Sequence, residues 1–203
     1  MSASGLRERP GEHFFCSTGM KGGLWKNLVR LPQKSMGVGF ISQGFESARP
    51  YRRMPDSWHR CANWMFKGIE GEIFGDFGLA HEGAAGIEID RYDLTLGTPP
   101  HTLIVVSSGG HSDNYMLVSE ETLYTFPGMT GTYDYRIGAD ITYFTTPNNG
   151  ACLSTGSSAF GQALPYNNFA NNISQFLKNV VDAFSKSGNH PGWAWTAEEK
   201  QWR

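Results

Sequence analysis

The apolar positions along this chain recur with two periods, and the expected elements follow from them. Leu103, Ile104, Val105 and Val106 form a continuous run, opened by Pro99-Pro100 and closed by Ser107-Ser108-Gly109-Gly110. A short run apolar on both faces and bounded by breakers predicts an interior strand of a largely parallel sheet. Residues 38–41 predict a second strand, weakened by Gly39. Residues 141–145 and 151–154 flank Pro147-Asn148-Asn149-Gly150. Asn-Gly accommodates the positive φ of a tight turn, so this unit is expected to be a hairpin at the far end of the sheet.

Helical spacing is clearest over residues 172–185. Ile173, Phe176, Leu177, Val180, Val181 and Phe184 recur at steps of three and four and make one apolar stripe. Asn171 or Asn172 is placed to cap its start and Gly188 to end it. Residues 57–67 predict a shorter helix with Trp58, Cys61, Trp64 and Met65 on one packing side, and residues 120–126 fit either a helix turn or a strand. The whole reads as a mixed α/β domain without internal repeats.

Length and composition narrow the function classes. The chain of 203 residues suits one domain with its own core. Residues 13–186 carry the patterned elements, residues 1–12 read as a disordered polar tail, and residues 187–203 as a Trp-rich tail. Trp193 and Trp195 either fold back on the domain or dock on another domain or subunit. With 17 basic and 19 acidic residues the formal charge is −2, and no Lys/Arg cluster suits a nucleic acid; the short run from Arg49 to Arg53 reads as a solvated loop. No apolar run approaches the roughly eighteen residues of a membrane span, and the opening residues are no signal peptide. Three cysteines (Cys16, Cys61, Cys152) without a CxxC fit small buried hydrophobes in a reduced cytoplasm.

The chemistry-bearing residues gather between Gly75 and Tyr115. The glycines of residues 75–86 satisfy neither G-x-G-x-x-G nor a Walker loop, so they point to tight turns rather than a nucleotide site. Neither Ser112 in G-H-S-D-N nor Ser157 in T-G-S-S-A lies in a nucleophile elbow. In Ile87-Glu88-Ile89-Asp90 a strand turns both carboxylates to one side and both isoleucines to the other. Such a carboxylate is either salt-bridged or held as a base of raised pKa. Asp90, followed by Arg91, reads as structural pairing; Glu82 is a weaker acid candidate. His81, His101, His111 and Asp113 match no metal-ligand spacing. The loop of residues 107–114 reads instead as a polar loop in which His111 and Asn114 donate hydrogen bonds to a bound group or to the backbone.

The same stretch, GDFGLAHEGAAGIEIDRYDLTLGTPPHTLIVVSSGGHSDNY, resembles the C-terminal region of the large (beta) subunits of the N,N-dimethylformamidase family. The likeness continues upstream through STGMKGGLWKN and PQKSMGVGFISQGF, and downstream through DITYFTTPNNGACLSTGSSAF and NNISQFLKNVV, covering residues 11–186. The resemblance implies the C-terminal part of a flavodoxin-like α/β sheet similar to class I glutamine amidotransferases. It implies an amidohydrolase that converts N,N-dimethylformamide to dimethylamine and formate, assembled with the remainder of the large subunit and a small subunit. It further implies a mononuclear iron held by two tyrosines and a glutamate, acting as a Lewis acid. Those ligands match no residues of this chain and are expected upstream of it. Glu88, in the family's E-(L/I)-D-R block, is the residue expected to be catalytic, with His111 and Asn114 as substrate-binding candidates. The contrasting reading is a non-catalytic α/β structural or interaction domain.

Overall fold

The structure, a computed structural model, describes residues 29–79, 82–119, 122–146 and 150–186. The two expected tails, His81, the Pro147-Asn148-Asn149 turn and Gly188 lie outside those residues. The strands are β1 (Gly39–Gln43), β2 (Tyr51–Arg53), β3 (Ile73–Phe74), β4 (Glu88–Arg91), β5 (Leu103–Ser107), β6 (Met116–Ser119), β7 (Thr122–Leu123), β8 (Asp140–Thr145) and β9 (Ala151–Ser154). They form a four-stranded sheet of order β4-β1-β6-β7 and a five-stranded sheet of order β3-β2-β5-β8-β9. The α-helices are α1 (Gln33–Met36), α2 (Phe160–Ala163) and α3 (Asn172–Phe184).

The apolar run at 103–106 is the interior strand it was expected to be, lying between β2 and β8. The β8–β9 hairpin occupies the sheet's edge, with Thr142 opposite Ser154 and Thr145 opposite Ala151. Every strand pair among the described residues is antiparallel, so the largely parallel, flavodoxin-like sheet is not what these elements build. A parallel neighbour needs a crossover of a dozen or more residues, usually a helix. Here α3, the longest helix, follows the last strand instead of joining two. The apolar run of β5 signals a strand in the middle of a covered sheet, a property shared by both sheet types.

Within the stretch 120–126, Thr122–Leu123 form a strand, since β7 pairs with β6. The helix expected over 57–67 is absent. Two short 3₁₀ turns, Pro55–Trp58 and Asn63–Phe66, stand there instead. Tertiary contacts account for the break. Asp56 Oδ2 accepts from the Ile104 N–H at 2.8 Å, and the Arg53 guanidinium lies 3.4 Å from the Trp58 ring centroid and 4.1 Å from that of Phe66. Cys61 and Met65 are buried, while Trp58 is exposed.

Asn171 caps α3, its side chain accepting from the Ser174 N–H at 2.8 Å. Phe176 and Val180 face the core as expected, but Val181 is 54% exposed, so the buried stripe is narrower than the sequence suggests. The rings of Phe66, Phe74 and Phe176 meet with centroids 5.1–6.0 Å apart. Asn179 Nδ2 donates to the carbonyls of Met65 and Lys67 at 2.9 Å each and ties α3 to the second 3₁₀ turn. Beyond β9 the chain runs along β4. The Asp90 N–H donates to Gly156 O at 2.8 Å and the Ser158 N–H to Glu88 O at 3.1 Å, which joins the two sheets.

Candidate functional site

Glu88 opens β4, and the glycine-rich loop sets how the chain arrives there. At Gly86 a Cβ would stand 2.5 Å from the Cβ of Ala48 and 2.7 Å from the Tyr115 hydroxyl, so only glycine lets these segments meet. The Gly86 N–H donates to Ser157 Oγ at 2.8 Å, and that hydroxyl donates back to the Gly86 carbonyl at 3.0 Å. Ser157 is thus a backbone clamp. Ile87 then takes φ of 66°, a left-handed conformation. For a β-branched residue it costs of order 1–3 kcal/mol. Its N–H donates to the Tyr115 hydroxyl at 3.2 Å and its carbonyl accepts from the Gly44 N–H at 2.9 Å. From there Glu88 pairs with Gln43 of β1.

Ile89 is fully buried and Glu88 is exposed. Among the described residues Glu88 therefore has no apolar cover. Ile89 belongs to the core, and Ile87 turns out of the strand at its positive φ. Asp90 is half-buried, and the fold perturbs its carboxyl pKa. Burial, and then repulsion from Glu88, pushes it up to about 6. Arg91 does not pair with it, because successive strand residues face opposite ways. Arg91 instead places Nε 3.8 Å from Asp140 Oδ2 and donates from Nη1 to the Tyr135 carbonyl at 2.6 Å. Two neighbouring carboxylates in unlike environments, one exposed and one half-buried, are the kind of pair that divides acid and base roles.

The loop after β5 folds back on itself. Ser108 Oγ accepts from the Ala139 N–H at 2.8 Å and lies 3.0 Å from His111 Nε2. His111 is 0% exposed, its ring 4.5 Å from that of Tyr115, and among the described residues its Nδ1 has no hydrogen-bond partner. Burial, with the Arg49 charge behind it, lowers its pKa to about 4, so the ring is neutral near pH 7. Asn114 is exposed. Asp113 accepts from Thr130 Oγ1 at 2.6 Å, from the Thr132 N–H at 3.2 Å, and from the Thr132 hydroxyl, bonds that hold its carboxyl below the usual range. The structure thus brings His111 close to the Ile87-Glu88 turn through Tyr115, and leaves Asn114 on the surface. Glu82 is exposed, also with a positive φ of 59°.

Among the described residues, no three His, Cys, Asp or Glu side chains converge. His101 Nε2 lies 2.9 Å from Thr145 O, far along β5 from His111. Three buried tyrosines, Tyr51, Tyr115 and Tyr143, are poorly placed to serve as phenolate ligands. Tyr51 donates to Thr155 O at 2.8 Å, Tyr115 is committed to Ile87, and burial pushes Tyr143 up to about 12. Burial also raises Tyr51 and Tyr115, away from the phenolate that a metal ligand requires. A cavity of about 440 Å³ opens beside Arg91, lined by Tyr92, Asp93, Leu94, Leu96 and Tyr135 among others, and Glu88 does not line it.

Two residues take places here that the sequence does not assign them. Asp90 is masked by the adjacent Arg91, although its two-residue spacing from Glu88 already places the carboxylates on one face. Tyr115 closes the S-S-G-G-H-S-D-N-Y segment, and its contact with Ile87 leaves no local mark.

Residues 4–173 match the family described as N,N-dimethylformamidase beta subunit-like, C-terminal. The N,N-dimethylformamidase beta subunit of Paracoccus aminophilus is 41% identical over 183 residues, which is 90% of this chain and 24% of that protein. The N,N-dimethylformamidase beta subunit of an Alcaligenes sp is 40% identical over 183 residues, with the same shares of the two chains. The chain therefore spans about a quarter of the length of these relatives.

Proposed function

Because the chain belongs to the family of N,N-dimethylformamidase beta subunit-like C-terminal regions, we propose that it is the C-terminal portion of an amidohydrolase acting on a small N-substituted amide of the formamide type. The observation that carries this reading is identity of 41% sustained over 90% of the chain. In this reading Glu88 is the general base. It takes a proton from water as the water oxygen bonds to the amide carbon. That proton passes to nitrogen as the C–N bond breaks, so that amine and carboxylic acid leave. Asp90 stands beside it, near the midpoint of its own titration at about pH 6. Asn114 donates a hydrogen bond to the substrate, and His111 supports its loop from beneath.

Glu88 is exposed here, so the apolar cover that makes a carboxylate an effective base is assigned to the upstream part of the large subunit. We assign the iron ligands and any flavodoxin-like sheet to that same upstream sequence, with a small subunit completing the assembly. Cys152 is a free thiol, which supports a reducing, cytoplasmic setting. No helix among the described residues is long and apolar enough to cross a membrane.

The test is Glu88→Gln in the complete enzyme, which keeps size and removes the basic oxygen. Turnover is expected to fall roughly 10²-fold or more, the scale of general acid–base catalysis, with the fold retained. Turnover close to that of the parent enzyme would remove Glu88 from the mechanism.

A further inference from the structure

We infer that Tyr115 is a positioning residue for Glu88, acting through the strained Ile87 peptide. This rests on Glu88 being the base. The Tyr115 ring is fully buried, and its hydroxyl accepts from the Ile87 N–H at 3.2 Å while donating to Glu46 O at 3.4 Å. Two glycines make its place. A Cβ at Gly44 would stand 2.6 Å from the Tyr115 ring, and one at Gly86 would stand 2.7 Å from its hydroxyl. The same Gly44 donates its N–H to the Ile87 carbonyl at 2.9 Å. Both backbone polar groups of Ile87 are thus held by the structure around Tyr115.

A β-branched residue keeps a φ of 66° only where its surroundings over-determine it. The strain lies one residue before the candidate base, where the chain must turn from the glycine loop onto β4. Relaxing Ile87 to negative φ would swing the first residue of β4 and take Glu88 out of register with Gln43. A buried tyrosine that merely satisfied its hydroxyl would have no need of an unfavourable isoleucine. Here the hydroxyl is spent on fixing that residue.

The experiment compares Tyr115→Phe, Ile87→Gly, the double variant and Glu88→Gln in the complete enzyme. Tyr115→Phe keeps the ring and should lower kcat roughly tenfold or more with KM within about twofold, because orientation and not substrate affinity is lost. Glycine adopts positive φ without help, so Ile87→Gly in the Tyr115→Phe background should restore much of kcat. A loss that the glycine does not restore would assign Tyr115 a structural role and overturn the inference. Parental kcat in Tyr115→Phe beside an inactive Glu88→Gln would overturn it alone. Full activity in Glu88→Gln would overturn the general-base reading and the inference with it. Hydrogen exchange of the unmodified enzyme gives a further check that needs no variant: the Ile87 amide should be protected, and rapid exchange there would also overturn it.

Discussion

The two sheets put the same chain to different uses. In the five-stranded sheet all six residues of β8 are buried, and α3 covers the sheet with the Phe66–Phe74–Phe176 cluster between them. In the four-stranded sheet, β4 alternates from an exposed Glu88 to a buried Ile89 to a half-buried Asp90. It is entered through a left-handed isoleucine and bonded on its outer edge by the segment after β9. The first sheet supplies rigidity through apolar packing; the second holds carboxylates at its margin on that support. Strain and perturbed titration at Ile87 and Asp90 persist because the neighbouring core does not yield.

The sharpest way to break this comparison is to damage the rigid half. Phe176→Ala removes a fully buried ring and should cost about 3–5 kcal/mol in chemical unfolding. A loss under about 1 kcal/mol would show that the aromatic cluster is not the main support. By contrast, Glu88→Gln should leave unfolding within about 0.5 kcal/mol of the parent, since the side chain is exposed, while it removes activity.

A smaller effect distinguishes the titrating groups. Asp90 in the fold keeps its proton up to about pH 6, against about 3.9 in the unfolded chain, so the folded state binds more protons between these values. Its contribution therefore lowers stability as pH rises from about 4 to about 6. His111 acts in the opposite sense. It stays neutral in the fold down to about 4, so stability falls as pH drops from about 6.5. Asp90→Asn should remove the first slope and leave the second, raising stability at pH 7 by about 1–2 kcal/mol after allowance for partial solvation. Unfolding curves between pH 4 and 8 would show it, and an unchanged profile would mean that Asp90 is solvated.

The smallest contrast lies within α3. Val180→Ala, at 3% exposure, should cost about 1–2 kcal/mol. Val181→Ala, at 54% exposure, should fall within about 0.5 kcal/mol of the parent. Equal costs at the two positions would erase the assignment of the helix face.

The elements that could be read from the sequence are those whose residues settle their own geometry. The stripe of Phe176 and Val180, the Asn171 cap and the apolar run of β5 declare themselves through local period and local hydrogen bonding. The helix expected at 57–67 fails because Asp56 and Arg53 find partners in β5 and in two rings, which outweigh local propensity. The same-face spacing of Glu88 and Asp90 was legible. Their unlike exposure was not, since it depends on what lies across the sheet.

By itself, the sequence determined the family, the order of the strong elements and the concentration of reactive residues between Gly75 and Tyr115, because each is written in adjacent positions. The antiparallel pairing, the Arg91–Asp140 contact and the clamp of Tyr115 on Ile87 were decided by tertiary structure alone. The Tyr115 clamp, the Arg91–Asp140 contact and the pairing of β5 with β8 each join residues 28 or more apart in the chain, whose meeting depends on how loops close and which faces are covered.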